Sequence, residues 1–182
     1  MHRLFVACRP PLAVRTALIS LMGGVEGARW QRDDQLHITL RFIGDVPSNV
    51  ANDIAETLPA MHGPALQVSL EGVGSFDRRG KVHTLWAGVR PRDGLETLHK
   101  KIDRVLVALG LPSEARAYLP HITLARLNAP QERVAGFLAA HAGLASLPFR
   151  IDEFSLFESL GTSDGRVYRP VLTCPLGGSA FD

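Results

Sequence analysis

Two tetrapeptides stand out by their chemistry, His37-Ile38-Thr39-Leu40 and His121-Ile122-Thr123-Leu124. On a β-strand residues i and i+2 share one face, so each copy projects an imidazole beside a hydroxyl while Ile and Leu pack behind. Two imidazoles suit phosphodiester cleavage without a metal: one neutral ring takes a proton from an attacking water, and one protonated ring gives a proton to the departing oxygen. The hydroxyls of Thr39 and Thr123 suit hydrogen bonds to non-bridging phosphate oxygens. A single His-x-Thr is more often a satisfied polar pair on a half-exposed strand. An accidental second copy of the tetrapeptide has a chance of roughly one in a thousand on average residue usage. Retention of a packing tetrapeptide after a fold duplication is the bland alternative.

The surrounding elements recur as well. Leu4–Cys8 reads as a strand ending at Arg9-Pro10, followed by a helical pattern with Leu12, Leu18, Leu21 and Met22 up to Gly23-Gly24. His37–Ile43 is a second strand, and Pro47-Ser48 offers a cap for a helix carrying Val50, Ile54 and Leu58. Leu66–Leu70, extending toward Phe76, and Val82–Val89 form a hairpin about the polar turn Asp77–Gly80. The order then restarts. Leu85–Val89 ends at Arg90-Pro91, a helix runs from Leu95 through Leu98, Ile102, Val105 and Leu106 to Leu109, and Gly110 stops it. The strand at His121, a helix begun by Pro130 with Val134 and Leu138, and strands near Phe149–Phe157 and Val167–Leu176 complete the series. The Arg-Pro pairs and the histidines recur at nearly the same spacing, which predicts an internal repeat over roughly 3–80 and 84–176 within one bilobal 1–182 unit. The expected fold is α+β: a duplicated βαβαβ-type repeat whose two mixed, mainly antiparallel sheets flank a central cleft.

Composition limits the partners. With 182 residues the chain is long enough to bury a real core, and 46% hydrophobic with 21% charged residues is ordinary for a globular protein. Twenty basic against 18 acidic residues leave a net charge of +2, too balanced to coat nucleic acid by bulk electrostatics, so any RNA contact is local. The only cysteines, Cys8 and Cys174, are far apart and fit a reducing compartment. The N-terminal segment lacks the apolar run of a signal peptide and no stretch is long enough to span a membrane, which predicts a cytoplasmic protein.

On these twin motifs the chain resembles the two-histidine (2H) phosphoesterase superfamily, specifically the RNA 2′,3′-cyclic phosphodiesterases also called 2′-5′ RNA ligases. The likeness spans nearly the whole length. It takes in Arg3–Ala7, Leu36–Gly44, Leu85–Val89, Pro120–Arg126, Glu158-Ser159 and Gly165–Tyr168. The resemblance implies a metal-free conversion of a 2′,3′-cyclic phosphate to a 2′-phosphate, with His37 as general acid for the 3′ oxygen and His121 as base for water. It also implies that Arg126 contacts phosphate, although strict alternation from His121 turns Arg126 to the other face unless a bulge intervenes. Alternation gives Arg41 the face of His37 and makes it a second candidate, against a snorkelling surface arginine. Where relatives often carry Phe-Pro, this chain has Phe76-Asp77 followed by the basic turn Arg78-Arg79-Gly80-Lys81, either an RNA-steering tip or a solvated one. Phe76 and Tyr118 are candidate substrate contacts, Tyr118 by stacking on a base, with a half-buried strand-edge aromatic the alternative for the tyrosine.

Other residues exclude competing chemistries. His2, His62, His83, His99 and His141 have no matching partner motif, and no His/Cys/Asp cluster has metal-ligand spacing, so no metal or other cofactor is expected. Neither a G-x-S-x-G elbow nor a P-loop is present. Three functions fit the residues: a monomeric RNA-end cyclic phosphodiesterase, with reversible ATP-independent 2′-5′ joining in the same pocket; a phosphodiesterase for a small cyclic nucleotide or a 2′-5′ oligonucleotide; and a non-catalytic RNA-end binding module.

Overall fold

Among the described residues, proline sets the start of three of four α-helices. Pro11, Pro47 and Pro130 each hold an extended conformation directly before a helix, their fixed φ suiting a position whose N–H has no intrahelical partner. The computed structural model describes residues 1–177. It comprises β1 (His2–Cys8), α1 (Leu12–Ser20), β2 (Arg29–Trp30), β3 (Ile38–Val46), α2 (Ser48–Thr57), β4 (Leu66–Arg78), β5 (Lys81–Arg90), α3 (Asp93–Ala108), β6 (His121–Pro130), α4 (Gln131–Ala140), β7 (Phe149–Ile151), β8 (Glu153–Thr162) and β9 (Gly165–Pro175). Ser48 is not the helix cap expected of it; its hydroxyl meets Nε2 of His2 at 3.1 Å. The β4–β5 hairpin closes as expected, with positive φ at both Arg79 (53°) and Gly80 (76°), the two-residue turn that matches strand twist.

The α+β class is borne out. The strands follow one path, β7-β4-β5-β6-β3-β1-β8-β9, with β2 added to β6, and every pairing is antiparallel. The two mixed sheets expected from the repeat therefore run into one antiparallel path. They join where β3 and β6 pair through the single couple Ile38 and Ile122. The stretch expected as one strand over Phe149–Phe157 breaks at Asp152, because β7 pairs with β4 at one end of the sheet while β8 pairs with β1 near the other. Buried residues of the helices, among them Val14, Leu18, Ile54, Leu95, Ile102 and Val134, share one core with Ile38, Leu40, Ile122 and Leu124. The helices thus cover the side of the sheet to which the motif Ile and Leu side chains point, leaving the other side to His and Thr. Among the described residues no helix is long and apolar enough to cross a membrane.

Candidate active site

The Ile38–Ile122 pair sets the geometry of the twin motifs. In antiparallel register about this couple His37 lies opposite Thr123 and Thr39 opposite His121, so the histidines take diagonal corners of one four-residue patch. All four line a cleft of about 690 Å³. Each imidazole is held the same way: Nδ1–H of His37 donates to the carbonyl of Gln35 at 2.6 Å, and Nδ1–H of His121 to the carbonyl of Leu119 at 2.7 Å. A carbonyl only accepts, so in the neutral ring the proton is on Nδ1 and the Nε2 lone pair is left to the cleft.

Aromatic walls complete both rings' surroundings. Phe5 (4.9 Å between centroids) and the edge of Tyr168 (5.2 Å) flank His37, while Phe76 meets His121 edge-on at 5.0 Å with Trp86 at 6.1 Å. Burial pushes His37 down to about 4. Its hydrogen bond to Gln35 works the other way, and the charges of His121, Arg126 and Arg9 add to the depression. His121 is also lowered, by burial first and by Arg126, against the hydrogen bond to Leu119. Both rings are neutral in the free protein near pH 7.

Beyond each threonine the strand is bulged. In β3 the pairing with β1 skips Leu40, and in β6 the pairing with β5 skips Leu124, so two consecutive side chains, Leu40-Arg41 and Leu124-Ala125, turn to the core. The bulge resolves the expectation for Arg126, which lines the cleft. The same device corrects the one for Arg41: it is buried at 7% exposure, paired with Asp103 at 2.7 Å and bonded to the carbonyls of Phe42 and Pro112, outside the cleft. Phe42 takes the place corresponding to Arg126, under the guanidinium of Arg3. The Tyr118 expectation is corrected too. Its ring stacks on His99 (4.3 Å, 3°), and its hydroxyl donates to the Thr39 carbonyl at 3.0 Å while His99 takes the Leu40 carbonyl at 2.6 Å. Both residues satisfy carbonyls at the bulge from the core side and neither lines the cleft. Phe76 touches His121, whereas Arg78, Arg79 and Lys81 sit exposed at the hairpin tip.

Several cleft residues besides Arg126 escaped the sequence reading. Five arginines line it, Arg3, Arg29, Arg32, Arg126 and Arg166, against one carboxylate, Asp164. Arg126 donates to the buried hydroxyl of Thr84 at 2.8 Å and Arg166 to that of Ser159 at 3.1 Å. Hydroxyls orient these guanidinium groups without neutralising them. Among the described residues no three His, Cys, Asp or Glu side chains converge as a metal site would require.

Comparison with known proteins agrees with this geometry. The model of the 2′-5′ RNA ligase superfamily matches residues 13–163, including both histidine motifs. The chain belongs to that superfamily. Among relatives, the RNA 2′,3′-cyclic phosphodiesterase of Aeropyrum pernix is 30% identical over 75% of this chain and 80% of its own length. The RNA 2′,3′-cyclic phosphodiesterase of Thermus thermophilus is also 30% identical, over 91% and 86%. A crystal structure of a Thermus thermophilus protein superposes with a TM-score of 0.79 at 26% identity, covering 97% of this chain and 98% of that one. Escherichia coli LigT, at 23% identity and a TM-score of 0.77, covers 97% and 99% and shares the fold. Membership of the superfamily rests on a match that spans β2 to β8, both bulges and both histidines together.

Proposed function

We propose that this member of the superfamily hydrolyses RNA 2′,3′-cyclic phosphate ends to 2′-phosphates by paired acid and base catalysis. The observation that carries the reading is the matched anchoring of two imidazoles by Nδ1, which aims two Nε2 atoms into one cationic cleft beside two threonine hydroxyls. His121 accepts a proton from water as the water oxygen bonds to phosphorus. His37, protonated, delivers its proton to the 3′ oxygen as the P–O3′ bond breaks, and one water is consumed. Thr39, Thr123 and Arg126 hold the non-bridging oxygens, where charge accumulates. The relatives that carry the name RNA 2′,3′-cyclic phosphodiesterase support this substrate. A 5′-hydroxyl end in the place of water gives 2′-5′ joining without ATP where equilibrium allows it. Two buried free thiols, Cys8 and Cys174, suit a reducing cytoplasm, and the proposed acting species is the monomer, a single unit built on the 3–80 and 84–176 repeat.

The test is product analysis. A short RNA ending in 2′,3′-cyclic phosphate, incubated with the protein in excess chelator, is expected to yield a 2′-phosphomonoester. His37→Ala and His121→Ala are each expected to lose at least about a hundredfold in turnover while remaining folded. Unchanged rates in either folded variant overturn the paired mechanism. Retained binding without turnover by the wild type favours the non-catalytic module, and turnover of mononucleotides alone favours the small-nucleotide enzyme.

A further inference from the structure

The short β2 strand puts two like charges face to face. Arg29 is the register partner of Arg126, and residues directly opposite in an antiparallel pair project to the same side with Cβ atoms about 5 Å apart, an arrangement that is destabilising for like charges. Yet β2 is firmly built. Trp30 packs on Phe137 of α4 with ring centroids 5.4 Å apart, and the Gln31 N–H donates at 2.8 Å to the carbonyl of Leu124, the residue skipped at the β6 bulge. This chain matches many of its arginines to carboxylates, as in Arg15 with Asp33, Arg41 with Asp103 and Arg169 with Glu158, and on the cleft wall Arg3 with Asp45 and Arg32 with Asp34. In the cleft, Arg126 and Arg166 are held by hydroxyls, and among the described residues Arg29 has no carboxylate partner. An opposed pair of uncompensated guanidinium groups on an anchored strand is stable when an anion lies between or beside them.

One such anion is the reacting phosphate at Arg126. We infer that Arg29, with Arg166 further along the cleft wall, forms a second anion subsite that takes the phosphodiester immediately 5′ of the cyclic end. The preferred substrate is then a polynucleotide terminus rather than a mononucleoside cyclic phosphate; this rests on the cyclic-phosphate function proposed above. Arg29 supplies a charge to the chain of the RNA and plays no part in the bond-breaking step.

The experiment compares three substrates with the same terminal nucleoside: its 2′,3′-cyclic phosphate alone, a short RNA ending in it, and that RNA with a neutral methylphosphonate at the last internucleotide linkage. Wild-type protein is expected to favour the natural RNA over the other two by about tenfold or more in kcat/KM, the size of one charge-assisted contact. Arg29→Gln is expected to lose that preference, to stay within about twofold of wild type on the mononucleoside, and to weaken the dependence of RNA binding on log salt by about 0.7. Arg78→Gln, at the exposed hairpin tip, controls for bulk charge and is expected to change nothing. Equal loss on all three substrates makes Arg29 part of the reacting-phosphate pocket and overturns the subsite, as does undiminished activity on RNA or an equal effect of Arg78→Gln. If wild type turns over none of the three, the hydrolytic reading itself fails, a result distinct from any of these.

Discussion

Burial draws both imidazoles toward their neutral forms, His37 to about 4 and His121 below its ordinary value, while an acid–base pair needs one ring charged. An anionic phosphate supplies what is missing, since a negative charge beside an imidazolium stabilises it and raises its pKa. In the free protein the singly protonated pair therefore peaks on the acid side of 6.5, and in the complex the peak moves to higher pH. The expected result is a bell-shaped kcat/KM profile centred below about 6.5 and a kcat profile displaced alkaline of it, both limbs belonging to the coupled pair. A kcat/KM profile with both limbs above about 7 contradicts the burial effect. At this scale His37, Thr39, His121 and Thr123 were legible because a repeated residue type carries the chemistry in its identity. Arg29, Thr84 and Tyr168 were not legible, since each acts through which face it occupies and which neighbour it meets.

Strand alternation predicts faces only until the first bulge. The extra residues at Leu40 and Leu124 reverse the expectation for every position beyond them, bringing Arg126 into the cleft and sending Arg41 to Asp103. The helices and the β4–β5 hairpin were legible from periodicity and turn chemistry. A two-residue strand such as β2 has no periodicity to read, and the break between β7 and β8 follows from long-range pairing alone. The hairpin also shapes the wall beside His121. A Cβ on Gly74 of β4 falls 2.2 Å from Cζ2 of Trp86, so Gly74→Ala forces the indole to move from its place beside Phe76 and His121. Overpacking of this kind costs about 1–3 kcal/mol. The variant is expected to unfold at lower denaturant with an unchanged m-value and to lose kcat in a folded state. Wild-type stability together with wild-type kcat would show that the indole does not brace the site.

Over the whole molecule, strands from the two ends of the chain interleave. β4 lies beside β5 and β7, while β8 and β9 lie on the β1 side, so each side of the cleft draws on both of the proposed repeats. Element order was readable from the sequence, and this exchange was not, because no local pattern encodes which strands pair. The two sides also differ chemically at the position five residues beyond each histidine, which is the aromatic Phe42 after His37 and the cationic Arg126 after His121. The proposed division of labour between two otherwise matched histidines is the one the family resemblance implies. The most direct measurement replaces the bridging 3′ oxygen of the cyclic phosphate by sulfur. A thiol ionises near about 8.5, far below an alcohol, so the departing atom needs no proton. His37→Ala is expected to recover most of its lost rate on this substrate, and His121→Ala to recover none, since water is equally hard to activate whichever atom leaves. Rescue of His121→Ala in place of His37→Ala would contradict the assigned roles, and rescue of neither would contradict proton donation by His37.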